Sequence, residues 1–202
     1  MEKKTEIRIA GFGGQGIILA GYIMGKAAAI YDDKFSTLIQ SFGPEARGSS
    51  CSAQLIISES QILYPYLIKP SVSIILSREA FDRFSGELEK NGIMLIEKDL
   101  VTPHDVPDTI SVYAIPSTRL AEEMGRKIVM NIITVGFFSA ATSITSYEAT
   151  RKAVESSVPP GTEEMNLRAF ETGYQYGVEL LKSEKKETKE STPKRSKKKT
   201  KV

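Results

Sequence analysis

The chain has 202 residues, 41% of them hydrophobic, so it is long enough to bury one substantial core, and we expect one globular domain. Its longest apolar stretch, residues 128–141, is shorter than the ~20 residues that a membrane-spanning helix needs, and no signal-peptide core follows Met1, so we expect a cytoplasmic protein. The only cysteine, Cys51, excludes an internal disulfide and an iron–sulfur cluster held by this chain alone, because a cluster needs about four thiolates.

The net charge of +2 hides an uneven distribution along the chain. Residues 183–202 contain nine Lys/Arg and three Glu, which leaves 18 basic and 22 acidic residues in positions 1–182. The basic segment has no aromatic residue and a single apolar one, Val202, so nothing in it offsets the entropy of ordering. We therefore expect a folded domain over 1–182 and a disordered Lys-rich tail over 183–202. Such a tail either contacts nucleic acid or an acidic surface, or only increases solubility.

The first half of the chain reads as strands with one early helix. Residues 5–10 alternate apolar and polar side chains and predict a strand, and the glycine-rich run 11–16 follows it. Residues 17–30 are mostly apolar without proline and predict a buried helix. Three more strands are predicted at 35–40, 50–57 and 72–76. Short apolar strands of this kind favour a covered, largely parallel sheet.

The second half adds two strands and a helical end. A helix is predicted over 80–90 and strands over 93–96 and 110–115. Ser117 is a candidate cap for a helix to Gly125, and Thr145 with Glu148 forms a capping box for a helix to about residue 157. After the Pro-Pro-Gly break at 159–161, apolar residues recur at helical spacing to residue 181. The fold class is therefore α/β, a single layered domain with a mostly parallel sheet, a glycine-rich first strand-to-helix turn and a helical C-terminal third.

The glycine run is compatible with an anion-binding site but does not by itself establish one. Gly11, Gly13 and Gly16 match G-x-G-x-x-G, which between a strand and a helix presents backbone N–H groups and a positive helix end to a phosphate. A free-standing NAD enzyme is disfavoured, because the second strand ends without the acidic residue that binds ribose hydroxyls. A P-loop is disfavoured because no Gly-Lys-Ser/Thr follows. An anion-binding loop and a tight structural turn both remain open.

A second cluster of turn-forming residues lies between the second and third strands, at positions 40–50. Its Arg47 is suited to clamp a phosphate or a carboxylate, and Glu45 to hold Arg47 or to pair with a neighbouring subunit. The alternative is an ordinary surface ion pair, which contributes little. Because the cluster follows the second strand, we expect it at the same edge of the sheet as the glycine run.

The two motifs together resemble the gamma subunit of 2-oxoacid:ferredoxin oxidoreductases. The resemblance rests on GFGGQG at 11–16, followed by Ala20-Gly21, and on SFGPEARG at 41–48, and it extends over about residues 5–181. The motif Pro44-Glu45-Ala46-Arg47 is similar to that of the 2-oxoglutarate branch of the family, whereas pyruvate-type gamma chains tend to differ just before the arginine.

The resemblance implies a part in a larger enzyme. Members of this family oxidatively decarboxylate a 2-oxoacid with coenzyme A, which for 2-oxoglutarate gives succinyl-CoA, carbon dioxide and reduced ferredoxin. Thiamine diphosphate, Mg²⁺ and iron–sulfur clusters are expected on partner subunits, alpha, beta and a ferredoxin-like delta, with ferredoxin as the acceptor. The chain is then inactive alone. The alternatives are a pyruvate or branched-chain 2-oxoacid substrate, a free-standing dinucleotide-binding protein, and nucleic-acid binding through the tail.

No catalytic or metal-binding residue is identified, and the candidate contacts lie in the two loops. Cys51 is interpreted as a small residue at a strand start, and His104 as an exposed loop residue. The candidate contacts with coenzyme A or with a neighbouring subunit are Gly11, Gly13, Gly14, Gln15, Gly16, Ser41, Gly43, Glu45, Arg47 and Gly48.

Overall fold

The computed structural model describes residues 4–42 and 50–190, which form one sheet covered by helices on both faces. The strands are β1 (Lys4–Phe12), β2 (Phe35–Phe42), β3 (Ser50–Ser58), β4 (Val72–Ile75), β5 (Ile93–Glu97) and β6 (Ser111–Ile115). The helices are α1 (Ile17–Lys26), α2 (Arg78–Phe84), α3 (Ser117–Glu123), α4 (Met130–Thr142), α5 (Tyr147–Glu155) and α6 (Glu163–Glu190). Short π and 3-10 turns follow α1 and α2 and precede α4, at Ala27–Tyr31, Ser85–Glu87 and Lys127–Val129.

The strands are arranged in the order β2-β3-β1-β4-β5-β6. The strands β1, β4, β5 and β6 are parallel to one another, whereas β3 is antiparallel to both of its neighbours, β1 and β2. Strand β3 reverses direction because only residues 43–49 separate it from β2, which is too short for a parallel crossover. The predicted α/β fold with a mostly parallel sheet is confirmed, with β3 as the exception.

Helix α4 is the centre of the core on one face of the sheet. All residues from Met130 to Ala140 are buried, so this part of the helix has no solvent-exposed face. A helix buried on every side lacks the 3.6-residue alternation of apolar and polar residues on which sequence patterns depend. For that reason the sequence predicted a helical C-terminal third but did not delimit this helix.

The predicted cap at Ser117 is wrong. Residue Pro116 precedes the first turn of α3, and the buried Ser117 hydroxyl has no hydrogen-bond partner among the described residues. The Glu97 carboxylate, at the end of β5, takes the capping position instead, because its Oε1 accepts the N–H of Thr118 at 3.1 Å. No local sequence pattern marks this cap, because Glu97 lies 21 residues away from Thr118.

The predicted capping box of α5 is displaced by one residue. The cap is Ser146, whose hydroxyl accepts the N–H of Ala149 at 3.2 Å. Thr145 is buried, and its hydroxyl accepts a hydrogen bond from Thr150 at 2.9 Å. The Thr145 hydroxyl is therefore part of a buried hydrogen-bond network, and the neighbouring Ser146 caps the helix.

Helix α6 continues to Glu190, beyond the boundary predicted at residue 183. Lysine and glutamate are good helix formers, and an existing helix is extended without a new nucleation step. Residues 191–202 lie outside the described residues, and for them the disordered tail stays a prediction.

The contact between α5 and α6 predicts how stability depends on pH. Tyr147 donates a hydrogen bond to Glu171 Oε2 at 2.6 Å, and this bond, with partial burial, raises the pKa of Tyr147 from 10.0 to about 12. The folded pKa exceeds the unfolded one, so this stabilisation is complete below pH 10 and is lost as the pH rises from about 10 to about 12. In urea unfolding at pH 8 and pH 11, Tyr147→Phe should lose less stability between the two pH values than the unmodified protein. Equal losses would contradict the assignment.

Candidate functional site

The glycine run forms a tight turn between β1 and α1 that the side chain of Gln15 holds in place. The Phe12 N–H donates to Gln15 Oε1 at 2.6 Å, and Gln15 Nε2 donates to the carbonyl of Leu76, the residue after β4, at 2.9 Å. The Gln15 N–H closes the turn by donating to the Phe12 carbonyl at 3.1 Å. Gln15 was predicted as a contact residue, but its amide is engaged by the protein's own backbone. Its role in this structure is to position the loop.

Two glycines of the turn are required by backbone conformation. Gly14 has φ +103° and Gly16 has φ +72°, in the region that L side chains rarely adopt. Gly16 also lies directly under Asn131 of α4, whose Nδ2 donates to the Gly16 carbonyl at 3.4 Å. A Cβ at Gly16 would overlap that amide, whereas a Cβ at Gly14 would meet open space. The loop is therefore fixed on its protein side and open on the other.

A cleft of about 480 Å³ lies beside the loop, where three helices begin. Its walls come from the starts of α1, α4 and α6, from Phe12 at the end of β1 and Cys51 at the start of β3, and from the turn before α6. The residues that line it are Phe12, Gly13, Gly14, Gly16, Ile17, Ile18, Leu19, Cys51, Ile128, Asn131, Ile132, Val158, Pro159, Thr162, Met165 and Asn166. The cleft is largely apolar, and none of these described residues is charged.

The polar groups of the cleft suit an anion at one end. The first intrahelical bond of α1 is that of the Ala20 N–H to the Gly16 carbonyl at 2.9 Å, so the amides of residues 17–19 have no acceptor within the helix. Free amides at a helix start attract anions. Asn131 and Asn166 add neutral amide groups; Asn166 Nδ2 donates to the Thr162 carbonyl at 2.9 Å. The arrangement can bind a phosphate at the loop and an apolar group beyond it.

The second predicted loop begins at the same edge of the sheet. Phe42 and Gly11 both pair with Cys51, and Ser41 pairs with Ser52, so β1 and β2 end at the same edge of the sheet, on either side of β3. Ser41 is exposed at the end of β2. The other candidates in this loop lie outside the described residues, and they are Gly43, Glu45, Arg47 and Gly48.

The cleft includes residues that the sequence did not single out as contacts. Asn131 and Met165 come from α4 and α6, which approach the glycine loop only in the folded chain, and no local pattern marks them. Cys51 lines the cleft, but burial raises the pKa of its thiol, which disfavours the reactive thiolate. His104 is away from the cleft and exposed, and its ring contacts that of Phe81 in a tilted arrangement with 4.9 Å between the ring centroids.

Residues 4–42 and 50–190 contain neither a candidate metal-binding cluster nor a candidate membrane-spanning helix. In this part of the chain no group of three or more His, Cys, Asp or Glu side chains is placed to hold a metal ion. Nor is any helix there both long and apolar enough to cross a membrane.

Comparison with known proteins places this geometry in a family. The family model described as pyruvate ferredoxin/flavodoxin oxidoreductase matches residues 6–176. The chain is 44% identical to 2-oxoglutarate synthase subunit KorC of Methanocaldococcus jannaschii, covering 89% of this chain and 97% of the relative. Identity to pyruvate synthase subunit PorC of Methanothermobacter thermautotrophicus is 31%, covering 84% and 94%. The crystal structure of a keto/oxoacid ferredoxin oxidoreductase gamma subunit from Geobacter sulfurreducens PCA matches with a TM-score of 0.76 and 40% identity, covering 87% and 99%.

Proposed function

Since this chain belongs to the pyruvate ferredoxin/flavodoxin oxidoreductase family as a gamma-type subunit, we propose that its enzyme oxidatively decarboxylates 2-oxoglutarate. The co-substrate is coenzyme A, and the products are succinyl-CoA, carbon dioxide and reduced ferredoxin. The observation that carries the choice of substrate is the greater similarity to the 2-oxoglutarate synthase subunit than to the pyruvate synthase subunit, over nearly the full length of both.

The redox cofactors of this enzyme belong to its other subunits. Cys51 is the only cysteine of the sequence, so an iron–sulfur cluster needs thiolates from another chain. We assign thiamine diphosphate, Mg²⁺ and the clusters to alpha, beta and delta subunits, and ferredoxin to the role of acceptor. The gamma chain contributes binding and shape to the assembled enzyme and has no activity alone.

An exposed apolar segment supports contact with such partners. Leu63 and Ile68 are 87% and 78% exposed, and Tyr64 and Tyr66 between them are also exposed. The segment is nevertheless held in place, because the buried Glu6 carboxylate accepts the N–H groups of residues 68 and 69 at 2.6 and 2.9 Å. Apolar side chains presented on a fixed backbone are typical of protein interfaces.

Coenzyme A is the proposed ligand of the cleft. Its phosphates are bound by the backbone amides around Gly13, Gly14 and Gly16, together with Arg47 from the loop after β2. The positive charge of Arg47 and the free backbone amides bind the phosphate end of coenzyme A, while the apolar walls of the cleft suit its uncharged pantetheine arm. Gly11 and Gln15 shape the loop, and Ser41, Gly43, Glu45 and Gly48 stay candidate contacts with coenzyme A or with the neighbouring subunit.

The two hydrogen bonds of the Gln15 side chain, to Phe12 and to Leu76, give a first test of this site. Gln15→Leu keeps the size of the side chain but removes the bonds to Phe12 and Leu76, so the loop loses its fixed shape. We expect the KM for coenzyme A of the assembled enzyme to rise about tenfold, which corresponds to about 1.4 kcal/mol. The KM for the 2-oxoacid should not change. A rise in both constants would show that the loop does not act on coenzyme A alone.

Arg47 gives a second test, with an exposed arginine as control. Loss of a charge-assisted bond to phosphate costs about 1.5–3 kcal/mol, so Arg47→Ala should weaken coenzyme A binding by at least about tenfold. Arg78→Ala, at the exposed start of α2, should leave the affinity unchanged. Titration of coenzyme A into the assembled complex measures both. An affinity unchanged in Arg47→Ala would remove this residue from the site.

The subunit assignment is tested by anaerobic affinity purification of the full chain from its own cells. Co-purification with chains that carry thiamine diphosphate and iron–sulfur clusters is the expected result. A chain that purifies alone with bound nucleotide would instead be a free-standing binding protein.

A further inference from the structure

Two buried carboxamide side chains line the cleft beside the glycine loop, Asn131 from α4 and Asn166 from α6. They are only 3% and 7% exposed, in a cleft whose other walls are mostly apolar. A buried amide group without a hydrogen-bond partner costs free energy, so its nitrogen and its oxygen each need one. The groups that these two side chains lack therefore indicate what the cleft is built to hold.

The protein satisfies the nitrogen of Asn166 but not its oxygen. Asn166 Nδ2 donates to the Thr162 carbonyl at 2.9 Å and to the Thr162 hydroxyl at 3.1 Å, which uses both of its hydrogens. That hydroxyl donates in turn to the Pro159 carbonyl at 2.7 Å, so its own hydrogen is not available to Asn166. In residues 4–42 and 50–190 no group donates to Asn166 Oδ1. The side chain is thus held with an acceptor oxygen left for a ligand.

Asn131 provides a second acceptor of the same kind. Its Nδ2 donates to the Gly16 carbonyl at 3.4 Å, and its Oδ1 receives no hydrogen bond from the described part of the chain. Asn131 therefore contacts the glycine loop through its nitrogen and leaves its oxygen to the cleft.

The two acceptors lie at the same end of a helix pair. Ile133 approaches Gly173 and Ala140 approaches Gly177, so α4 and α6 run in the same direction. Both asparagines are near the starts of these helices, at the end that lines the cleft. One ligand in the cleft can therefore reach both oxygens.

The groups around the cleft match a ligand with an anionic end and a neutral amide chain. The free amides of residues 17–19 attract an anion, and the apolar walls favour an uncharged chain. No described lining residue carries a charge that could balance a cationic donor, so the two oxygens suit neutral N–H groups. Coenzyme A has these groups in this order, because its diphosphate is joined to a pantetheine arm that contains two secondary amides.

We propose that Asn131 and Asn166 accept hydrogen bonds from the two amide N–H groups of the pantetheine arm and so fix the direction in which the thiol end lies. The inference rests on the proposed binding of coenzyme A in the cleft. It makes the gamma chain selective for the whole coenzyme rather than for its nucleotide half. A backbone segment of a neighbouring subunit also carries neutral N–H groups, but it lacks the anion that the start of α1 favours.

Titration of two ligands into the assembled complex tests the proposal. Coenzyme A carries the arm, and 3′-phosphoadenosine 5′-diphosphate is the same nucleotide without it. Asn166→Leu should weaken coenzyme A binding about tenfold, because an amide N–H of the ligand loses its buried acceptor, and should leave the affinity for the nucleotide unchanged. Gln175→Leu makes the same exchange at an exposed position of α6 and should change neither affinity.

Asn131→Leu gives a second and different pattern. It removes the bond to the Gly16 carbonyl as well as the acceptor oxygen, so it should weaken both ligands, and coenzyme A more than the nucleotide. Equal weakening of the two ligands by each variant would show that the asparagines only support the fold, and would overturn the proposal.

The same titrations separate this inference from the proposed function. If coenzyme A binds both asparagine variants as tightly as the unmodified complex while Gln15→Leu still weakens it, the inference alone is wrong. If Gln15→Leu has no effect either, coenzyme A does not bind at this loop, and the proposed ligand of the cleft is wrong together with the inference.

Discussion

Gly136→Ala is expected to destabilise the chain by about 3 kcal/mol, because the added methyl group has no space between α4 and α6. A Cβ at Gly136 would overlap the Phe170 carbonyl oxygen and lie 2.9 Å from the Tyr174 nitrogen. Both atoms belong to the backbone of α6, so no side-chain rotation relieves the clash. The reciprocal position, Gly173, would overlap the Ile133 carbonyl in the same way. The midpoint of urea unfolding measures the effect.

A second glycine serves as the matched control for this experiment. Gly86 is in the short 3-10 turn after α2, has no positive φ, and would place a Cβ in open space. Gly86→Ala should therefore change stability by less than about 0.5 kcal/mol. If Gly136→Ala were as stable as Gly86→Ala, the close approach of α4 and α6 would be wrong.

Glu97→Ala is expected to cost a similar amount, about 3 kcal/mol, for an electrostatic reason. The side chain is completely buried, and its Oε2 accepts the N–H groups of Asp99 and Leu100, both at 2.8 Å. Its Oε1 accepts the N–H of Thr118 at the start of α3. Alanine removes this acceptor from all three amides, of which Leu100 alone keeps a second one, the residue 97 carbonyl at 3.4 Å, and the turn after β5 loses its connection to α3.

The control for this prediction is Glu123→Ala, which removes an exposed carboxylate at the end of α3. It should be nearly neutral when unfolding is followed by circular dichroism in urea. Glu97→Gln should fall between the two, because an amide keeps one acceptor oxygen. A neutral Glu97→Ala would show that water satisfies these amides and that the carboxylate does not hold the turn.

The elements predicted from the sequence are those whose determinants are local. Alternation of Ile7 and Ile9, the glycine turn and the short apolar strands each depend on near neighbours, and they occur in the structure. Helix α4 was not delimited, because a helix buried on every side has no periodic signal. The cap of α3 was missed because its acceptor, Glu97, comes from a different strand.

The same distinction between local and long-range determinants applies to the candidate site. The sequence identified the glycine loop, because its residues are adjacent and their conformational needs are specific to glycine. It did not identify Asn131, Thr162 or Met165, which reach the loop only after α4 and α6 pack together. The sequence also could not show whether the Gln15 side chain contacts a ligand or forms hydrogen bonds within the protein. That distinction depends on the position of the Leu76 carbonyl, 61 residues away.

The substrate preference of the assembled enzyme is the most direct test of the proposed function. The measurement is kcat/KM for coenzyme A-dependent dye reduction under anaerobic conditions, with 2-oxoglutarate and with pyruvate, using the complex purified through this chain. We expect 2-oxoglutarate to be the better substrate and succinyl-CoA to be formed. A higher kcat/KM with pyruvate, or no activity of the complex with either acid, would contradict the proposed function.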